Sequence, residues 1–367
     1  MRLIVVGGGI VGAACAYTAS SQGAQVTLVE SGRDGQATAA GAGIICPWTE
    51  SGEDPARYAL ACAAAREYPA LMAELADRGQ PDLSYRRVGA LLLPGSAGLA
   101  QDALRRLEER RVATPEIGVA AMLTGEQARE LFPPLGPVPA AVHIEGAARV
   151  DGRRVAAALT EAAAGLGAVR LTGQAELVLG AGSVAGVRFA SGELIEADAV
   201  VAATGAWTGS FLAPAGLTVP VTPERGQITH VSLAPADTSA WPVILPGGTG
   251  HYLLAFDDSR VVAGATREPG AGFDYRVTPA GLAEVLREAL AVAPGLAAGR
   301  VLETRVGFRP VAARPLLGPV PGVAGLHVAT GLGSTGLTMG PYAGSLVARA
   351  ALGQAVPVDL APFSLGC

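Results

Sequence analysis

Three glycines near the start of the sequence have the spacing of a pyrophosphate-binding turn. Gly7, Gly9 and Gly12 form the pattern G-x-G-x-x-G, and Glu30 stands eighteen residues after the last of them. In such a turn the first glycine permits a tight bend, the second lets the backbone approach the phosphates, and the third lets a helix pack closely on a strand. A carboxylate at the position of Glu30 accepts hydrogen bonds from a ribose 2′-hydroxyl and repels a 2′-phosphate. The pattern therefore predicts a site for NAD or FAD rather than NADP.

The elements around these glycines favour the same interpretation. Residues 3–6 are a branched apolar run typical of a buried strand, residues 10–21 form a small-residue helix that stops near Gly23, and residues 25–29 form a second strand. The start of such a helix offers amides and the positive end of its dipole to a pyrophosphate. The apolar start of the chain also resembles a secretory leader, but cleavage would remove the motif, so we expect a dinucleotide site instead.

Length and composition are those of an enzyme rather than of a membrane or nucleic-acid-binding protein. The 367 residues are enough for two structural domains, and the formal net charge is −5. Charged residues interrupt every apolar stretch before it reaches the roughly 18 to 20 residues that span a bilayer. An acidic balance gives no indication of nucleic-acid binding. We expect a cytoplasmic protein with at most a peripheral association with membranes.

The cysteines and histidines show no pattern of a metal site. Cys15, Cys46, Cys62 and Cys367 lack the C-x-x-C spacing, which is typical of unpaired thiols in a reducing compartment. The four histidines are scattered and have no triad spacing. We therefore predict neither a metal site nor a catalytic histidine.

Two further stretches are suited to lie close to a flat ligand. Residues 31–48 are rich in glycine and alanine, which is typical either of a loop packed against a ligand or of a flexible surface loop. Residues 174–207 form a small three-stranded meander followed by an apolar strand that ends at Thr204, Gly205 and Trp207. A buried strand that ends in small residues brings its backbone against a ligand at the carboxyl edge of a sheet.

Six segments, taken in their order along the chain, resemble one family of flavoenzymes. The sequence is similar over essentially its whole length to the FAD-dependent D-amino acid oxidase, glycine oxidase and sarcosine oxidase superfamily, nearest its bacterial glycine oxidase and D-amino acid dehydrogenase branches. The segments are the opening glycine turn, ATGAW (203–207), ERGQITHV (224–231), RVVAGATRE (260–268), GFRP (307–310) and HVATGLGSTGLTMGPYAGSLVA (327–348).

The resemblance implies an α/β (α+β) fold, with a Rossmann-like FAD-binding domain and an inserted, mainly antiparallel β-sheet domain for the substrate. The FAD-binding domain is expected at 1–83, 141–218 and 302–367, and the substrate domain at 84–140 and 219–301. The cofactor is expected to be non-covalent FAD. Whether the thiol of the cysteine in the 31–48 stretch touches the flavin stays open.

The segment 327–348 predicts a strand followed by a glycine-rich turn, after which a helix begins at 335–351. Beside a flavin, the positive end of that helix dipole would stabilise negative charge on the reduced ring. A plain packing corner is the alternative. The residues expected to contact FAD are Gly7, Gly9, Ile10, Gly12, Glu30, Ala42, Gly43, Ile44, Thr204, Gly205, Trp207, Gly331, Gly333, Ser334, Thr335, Gly336, Leu337 and Thr338.

Two residues are expected at the reaction itself. Arg309 stands where the family has its carboxylate-binding arginine, and a guanidinium fork matches a carboxylate in a bidentate pair. Arg305 and Arg314 are close to it in the sequence and are the competing candidates. Tyr252 stands where relatives carry an aromatic or hydroxyl residue that lines the substrate pocket, with an ordinary strand core position as the alternative.

The resemblance implies oxidation of the Cα–N bond of a small D-amino acid or glycine-like compound. Hydride transfer to flavin N5 would give the imino acid, and water would hydrolyse it to the 2-oxo acid and ammonia. Such a transfer needs orientation more than a protein base. Oxygen, a quinone or another carrier would accept the electrons, and the oligomeric state, a homo-oligomer included, stays open.

Several alternatives remain at this point. They are a sarcosine- or proline-type secondary-amine oxidase or dehydrogenase, a non-catalytic flavin-binding subunit of a larger complex, and, on the first thirty residues alone, an NAD-dependent dehydrogenase. Many relatives have an aspartate where this chain has Arg314 and a histidine where it has Leu332. These two departures leave the substrate unnamed.

Overall fold

A computed structural model describes residues 1–50, 53–80 and 83–366 of the chain. The helices are α1 (Ile10–Ser21), α2 (Ala37–Ala40), α3 (Pro55–Asp77), α4 (Ala97–Arg111), α5 (Gly125–Leu131), α6 (Gly152–Gly165), α7 (Thr208–Leu212), α8 (Pro279–Val292) and α9 (Gly336–Ala351). The strands are β1 (Arg2–Val6), β2 (Gln25–Glu30), β3 (Ile44–Ile45), β4 (Arg86–Arg87), β5 (Ala90–Leu93), β6 (Ala120–Leu123), β7 (Ala141–Ile144), β8 (Ala148–Arg149), β9 (Val169–Thr172), β10 (Ala175–Leu179), β11 (Val184–Phe189), β12 (Leu194–Glu196), β13 (Ala199–Ala202), β14 (Thr222–Ser232), β15 (Val243–Pro246), β16 (Tyr252–Ala255), β17 (Arg260–Gly264), β18 (Glu268–Pro269), β19 (Arg300–Pro319) and β20 (Leu326–Leu332).

The amino-terminal strand lies in the middle of a parallel arrangement. β1 pairs in parallel with β2 on one side and β13 on the other, and β9 and β20 extend the two edges. β1 and β13 are buried almost throughout, which is why both sequences are continuous apolar runs rather than alternating ones. The carboxyl ends of these strands all meet at one edge of the sheet.

An antiparallel arrangement continues the same sheet. The long strand β19 pairs antiparallel with β20 at its end and with β14 along its first half. From β14 the sheet runs through β17, β16 and β15, and then through β5, β7 and β6. The α/β fold with a Rossmann-like part and a mainly antiparallel part is therefore confirmed. The division into two domains at the boundaries given above stays a proposal.

Helices α1 and α9 cross at very close range on the parallel part of the sheet. Gly344 of α9 lies against the backbone of α1, where a Cβ atom would stand 2.2 Å from the carbonyl oxygen of Val11. Gly340, one turn earlier, lies against the side chain of Ile10, where a Cβ atom would stand 2.7 Å from Cγ2. Because only glycine permits this approach, the two helices begin side by side at the carboxyl edge of the strands.

One buried arginine joins the small sheet β3-β8-β4 to the antiparallel part of the large sheet. Arg149 on β8 is fully buried and forms an ion pair with Asp257, which follows β16. The ring centroid of Phe256 lies 5.0 Å from the guanidinium carbon of Arg149 and 4.3 Å from that of Arg260. Burial lowers the pKa of Arg149, and the charge of Asp257 opposes that shift.

Most of the expected elements are present. The small meander is the antiparallel sheet β10-β11-β12, and the helices expected at 10–21 and 335–351 are α1 and α9. The 31–48 stretch is more than a loop, because it contains α2 and β3. Within the described ranges, no helix is both long enough and apolar enough to cross a membrane.

Candidate active site

A cavity of about 680 Å³ opens where the carboxyl ends of the parallel strands face the antiparallel part of the sheet. The starts of α1 and α9 and the ends of β1, β2 and β13 form one side of it. The facing side consists of residues from β14, β16 and β19. A crevice at the carboxyl edge of parallel strands is the usual position of a ligand site in an α/β sheet.

The glycine turn after β1 forms the floor of this cavity at one end. Gly7 adopts a φ of +108°, and a Cβ atom on it would lie 2.3 Å from the carbonyl oxygen of Ala203. Gly9 and Ile10 also line the cavity, and the amide of Ile10 donates to Thr38 Oγ1 at 3.0 Å. Gly12 does not line it, because this residue packs against the Gly7 carbonyl.

The carboxylate of Glu30 lies in the cavity at the end of β2. It accepts hydrogen bonds from the amides of Gly8 (2.5 Å) and Gly32 (2.8 Å) and from Gln36 Nε2 (3.0 Å). Oε1 also accepts a longer hydrogen bond from Ser31 Oγ (3.4 Å), whereas Oε2 accepts only that of Gly8, so Oε2 keeps an acceptor position for a ribose hydroxyl. Sequence analysis missed Gln36 and Thr38, although the composition of the 31–48 stretch indicated that a ligand lies nearby.

The segment after α2 lies against the start of α9. Ala42, Gly43 and Ile44 all line the cavity. A Cβ atom on Gly43 would lie 1.7 Å from the carbonyl oxygen of Val150, so the backbone of this segment lies against the residue that follows β8. The small residues of this stretch therefore allow a close approach to that backbone on one side and to a ligand in the cavity on the other.

Aromatic rings gather at the end of β13. Thr204, Gly205 and Trp207, which were expected to contact FAD, line the cavity. Trp207 stacks on Phe273 with ring centroids 5.0 Å apart and meets Phe308 edge to face at 5.9 Å. Sequence analysis missed these two phenylalanines, because nothing in the local sequence pairs residues that are so distant along the chain.

The glycine-rich turn before α9 closes the other end. Gly333, Ser334, Gly336 and Leu337 line the cavity. Three other residues expected to contact the cofactor have different surroundings. Gly331 lines a neighbouring cavity of about 340 Å³, Thr335 donates to the Leu332 carbonyl (2.8 Å), and the buried Thr338 donates to the Ile44 carbonyl (2.9 Å).

Arg309 and Tyr252 lie together on the antiparallel side of the cavity. Nη1 of Arg309 donates to Glu224 Oε1 at 2.9 Å and to the Thr266 carbonyl at 3.0 Å. Burial raises the pKa of the Tyr252 hydroxyl, while the positive charges of Arg309 and Arg267 oppose that shift. The hydroxyl is therefore neutral at physiological pH and is available for hydrogen bonding.

The structure separates Arg309 from the competing arginines. Arg305 pairs with Glu303 at 2.5 Å, and Arg314 donates to the Pro362 carbonyl at 3.1 Å. Neither lines the main cavity. Arg267 does line the main cavity, and the sequence did not single it out although it stands in the segment 260–268 that carried the resemblance.

The lining of the cavity fits FAD. The starts of two helices line one crevice, a Cβ atom on Gly205 or Gly333 would meet no protein atom within 4 Å, and an acid stands at the end of β2. Cys46 is buried outside the lining, and burial raises the pKa of its thiol to about 12. Cys367 lies outside the described residues, so non-covalent attachment stays a prediction. Among the described side chains, no group of three or more could hold a metal ion.

Comparisons with known proteins agree with this geometry. The family model described as DAO, FAD dependent oxidoreductase, matches residues 2–350. The chain is 43% identical over 363 residues to the uncharacterized oxidoreductase YurR of Bacillus subtilis, covering 98% of this chain and 97% of that one. It is 32% identical over 370 residues to the glycine oxidase of Pseudomonas aeruginosa, covering 99% and 98%.

Solved structures give the same result. The crystal structure of iminodiacetate oxidase from Chelativorans sp. BNC1 superposes with a TM-score of 0.96 at 45% identity, covering 99% of this chain and 98% of that one. The glycine oxidase of Geobacillus kaustophilus superposes with a TM-score of 0.87 at 30% identity, covering 99% and 98%. The match of the family model over nearly the whole chain, together with these relatives, shows that this protein belongs to the DAO family of FAD-dependent oxidoreductases.

Proposed function

We propose that this flavoenzyme oxidises the Cα–N bond of a small amino acid, either a D-amino acid or a glycine-like compound. The product is the imino acid, which water hydrolyses to the 2-oxo acid and ammonia. The observation that supports this proposal most strongly is the guanidinium of Arg309, which is largely buried and lines the cavity beside the hydroxyl of Tyr252. A buried cation next to a neutral hydroxyl suits a small substrate that carries a carboxylate.

Arg309 is proposed to fix the carboxylate of the substrate. Both of its hydrogen bonds to the protein, to Glu224 and to the Thr266 carbonyl, use Nη1. These bonds hold the plane of the guanidinium, and the fork still carries N–H groups on Nη2 and Nε for a bidentate pair. A substrate held at its carboxylate has only a few orientations of its Cα–H bond, which is what hydride transfer requires.

Bound FAD supplies the hydride acceptor for this reaction. The start of α9 is proposed to stabilise the negative charge that the ring gains, because Gly333, Ser334 and Gly336 line the cavity there. Tyr252 is proposed to donate a hydrogen bond to the substrate. No protein base is required once the amine is neutral, since the nitrogen lone pair drives the hydride from Cα.

A second candidate function is the oxidation of a secondary amine. The likeness to the iminodiacetate oxidase, at 45% identity over almost the whole chain, favours it specifically. The same residues would serve both reactions, because the carboxylate, the Cα–H bond and the nitrogen are arranged alike. The electron acceptor, whether oxygen or a quinone or another carrier, the cytoplasmic location and a homo-oligomeric state remain proposals.

An anaerobic titration of the FAD-loaded protein tests the proposal. Glycine, a panel of D-amino acids, sarcosine, proline and iminodiacetate are added in turn, and the visible absorption of the flavin is followed. Bleaching by primary amines supports the first function, and bleaching by secondary amines alone supports the second. A protein that keeps its FAD but is reduced by none of these compounds would contradict both and favour a non-catalytic subunit.

Arg309→Met then tests the assigned residue. We expect the substrate that bleaches wild type to lose at least 100-fold in kcat/KM, because a charge-assisted bidentate pair is removed from a buried position. The matched control is Arg305→Met, which removes the same type of side chain from the same strand outside the cavity. Equal losses in both variants would show that strand stability, and not carboxylate binding, is responsible.

A further inference from the structure

A proline near the start of α9 removes one hydrogen bond from that helix. Pro341 stands four residues after Leu337, and both residues are buried within α9. In a regular α-helix the amide of residue 341 would donate to the carbonyl of Leu337, but proline has no N–H group. A buried backbone carbonyl without a partner is costly. The carbonyl of Leu337 therefore requires a donor other than the amide of residue 341.

The hydroxyl of Tyr68 is a donor to this carbonyl. It reaches the Leu337 carbonyl from α3, across 269 residues of sequence. The tyrosine is only 1% exposed, and its ring stacks on that of Tyr85 with the centroids 5.8 Å apart. Burial raises the pKa of the Tyr68 hydroxyl well above its ordinary value, so the hydroxyl keeps its proton. A fixed ring thus presents a permanent donor to α9.

Other contacts hold the same turn of α9. The two methyl groups of the Leu337 side chain lie against Gly41 and Gly152, where a Cβ atom on either glycine would stand 2.7 Å from a methyl carbon. The next residue, Thr338, donates its hydroxyl to the Ile44 carbonyl at 2.9 Å. The first turn of α9 is therefore tied to the segment after α2, to the start of α6 and, through the tyrosine, to α3.

We propose that Tyr68 is a positioning residue for the flavin site and that it acts through the Leu337 carbonyl by fixing the first turn of α9. Tyr68 itself lies outside the lining of the main cavity, whereas Gly333, Ser334 and Gly336 line it just before this turn. The field that the start of a helix exerts on a nearby charge depends on where its first amides lie. The inference rests on the role proposed above for the start of α9.

Tyr68→Phe removes the hydroxyl and keeps the ring. The orphaned carbonyl should displace the first turn of α9, so we expect the midpoint potential of bound FAD to fall by about 30 mV, which is about tenfold in the two-electron equilibrium. The potential is measured against a reference dye during reduction by dithionite. The matched control is Tyr58→Phe on the same helix, whose buried hydroxyl has no hydrogen-bond partner among the described residues. Its potential should stay that of wild type.

Pro341→Ala separates positioning from a general loss of packing. The alanine restores an amide that can donate to the Leu337 carbonyl in place of the hydroxyl. In this background we expect Tyr68→Phe to shift the potential by less than about 10 mV, which is about twofold in the same equilibrium. A loosened contact between α3 and its surroundings would not be repaired by an amide on α9. The four proteins form a double-mutant cycle whose measured quantity is the potential.

The outcomes of this cycle are distinct. An unchanged potential in Tyr68→Phe would overturn the inference, and so would an equal shift in the proline and alanine backgrounds. If Tyr68→Phe alone does not retain FAD, a double variant that retains it near the wild-type potential supports the inference, and a double variant that does not retain it overturns the inference.

The potential is measured without any amine, so the result is independent of the substrate. A rescued shift in a protein that no amine reduces would leave the inference standing while the proposed amine oxidation fails. Amine oxidation without a shift would remove the inference alone.

Discussion

A single methyl group at the crossing of α1 and α9 should loosen the whole cofactor site. In Gly344→Ala the new Cβ would stand 2.2 Å from the carbonyl oxygen of Val11, 3.0 Å from Cβ of Ala14 and 3.0 Å from the amide of Cys15. Two of these atoms belong to the backbone of α1, so no side chain can rotate away. The helices must therefore move apart by several tenths of an ångström or more.

The magnitude follows from two opposing terms. Overpacking of a filled core costs about 1 to 3 kcal/mol, and a contact with backbone belongs at the upper end of that range. Alanine in place of glycine inside a helix gains about 1 kcal/mol. We therefore expect Gly344→Ala to lower the free energy of unfolding by about 2 kcal/mol. The matched control is Gly98→Ala in α4, where a Cβ atom meets nothing within 4 Å, so only the gain remains.

Urea titrations of the FAD-free and FAD-loaded forms of both variants measure these changes. We expect a larger loss in the FAD-loaded form of Gly344→Ala, since both helix starts line the cavity proposed for FAD and a weaker affinity for FAD reduces ligand stabilisation. A Gly344→Ala protein as stable as wild type would refute the argument that glycine sets the helix separation. A loss of equal size in both forms would refute the link between that separation and the cofactor.

Two further predictions concern charge. Glu30→Gln should raise the dissociation constant of FAD about tenfold, because the carboxylate that accepts four hydrogen bonds within the protein, and is proposed to accept one from the ribose, becomes an amide. Glu176→Gln changes a second acid at the same cavity and is the control, and FAD fluorescence measures both dissociation constants. Burial, followed by the charges of Arg305 and Arg260, lowers the pKa of His230 to about 4, below its unfolded value of about 6.5. Neutral His230 therefore contributes fully to the stability of the folded protein above pH 6.5. As the pH falls towards 4, the free energy of unfolding decreases by at most about 3 kcal/mol, because protonation of this histidine favours the unfolded state. His230→Asn should therefore flatten the dependence of unfolding free energy on pH between 4 and 6.5, and an unchanged slope would contradict this assignment.

The sequence was most informative where structure depends on near neighbours. The strand, turn and helix around Gly7 and Gly9, and the acid at the end of β2, are local features whose chemistry follows from spacing alone. They predicted the dinucleotide site, and FAD is confirmed by the family. Arg309 was singled out through the resemblance, since spacing alone did not distinguish it from its neighbours Arg305 and Arg314. Its role stays a prediction.

The sequence did not predict contacts between distant segments. Arg267 and Arg309 are brought together by Glu224, which pairs across the strands with Arg309 at a separation of 85 residues. Phe273 reaches Trp207 from a connection that carries no periodic pattern. Such neighbours follow from the register of β14 and β19, and register depends on the packing of the complete sheet.

The order of strands in the sheet also determines when the cofactor site can exist during synthesis. β1 and the glycine turn leave the ribosome first, but their neighbour β13 follows almost 200 residues later, and β20 and α9 come later still. Until α9 arrives, the close-packed face of α1 and one side of the cavity have nothing to cover them. Contacts between segments so far apart along the chain form slowly. Until they form, the exposed apolar surface favours association with other chains. The cavity that FAD would occupy is therefore complete only once the first and last of its segments along the chain have met.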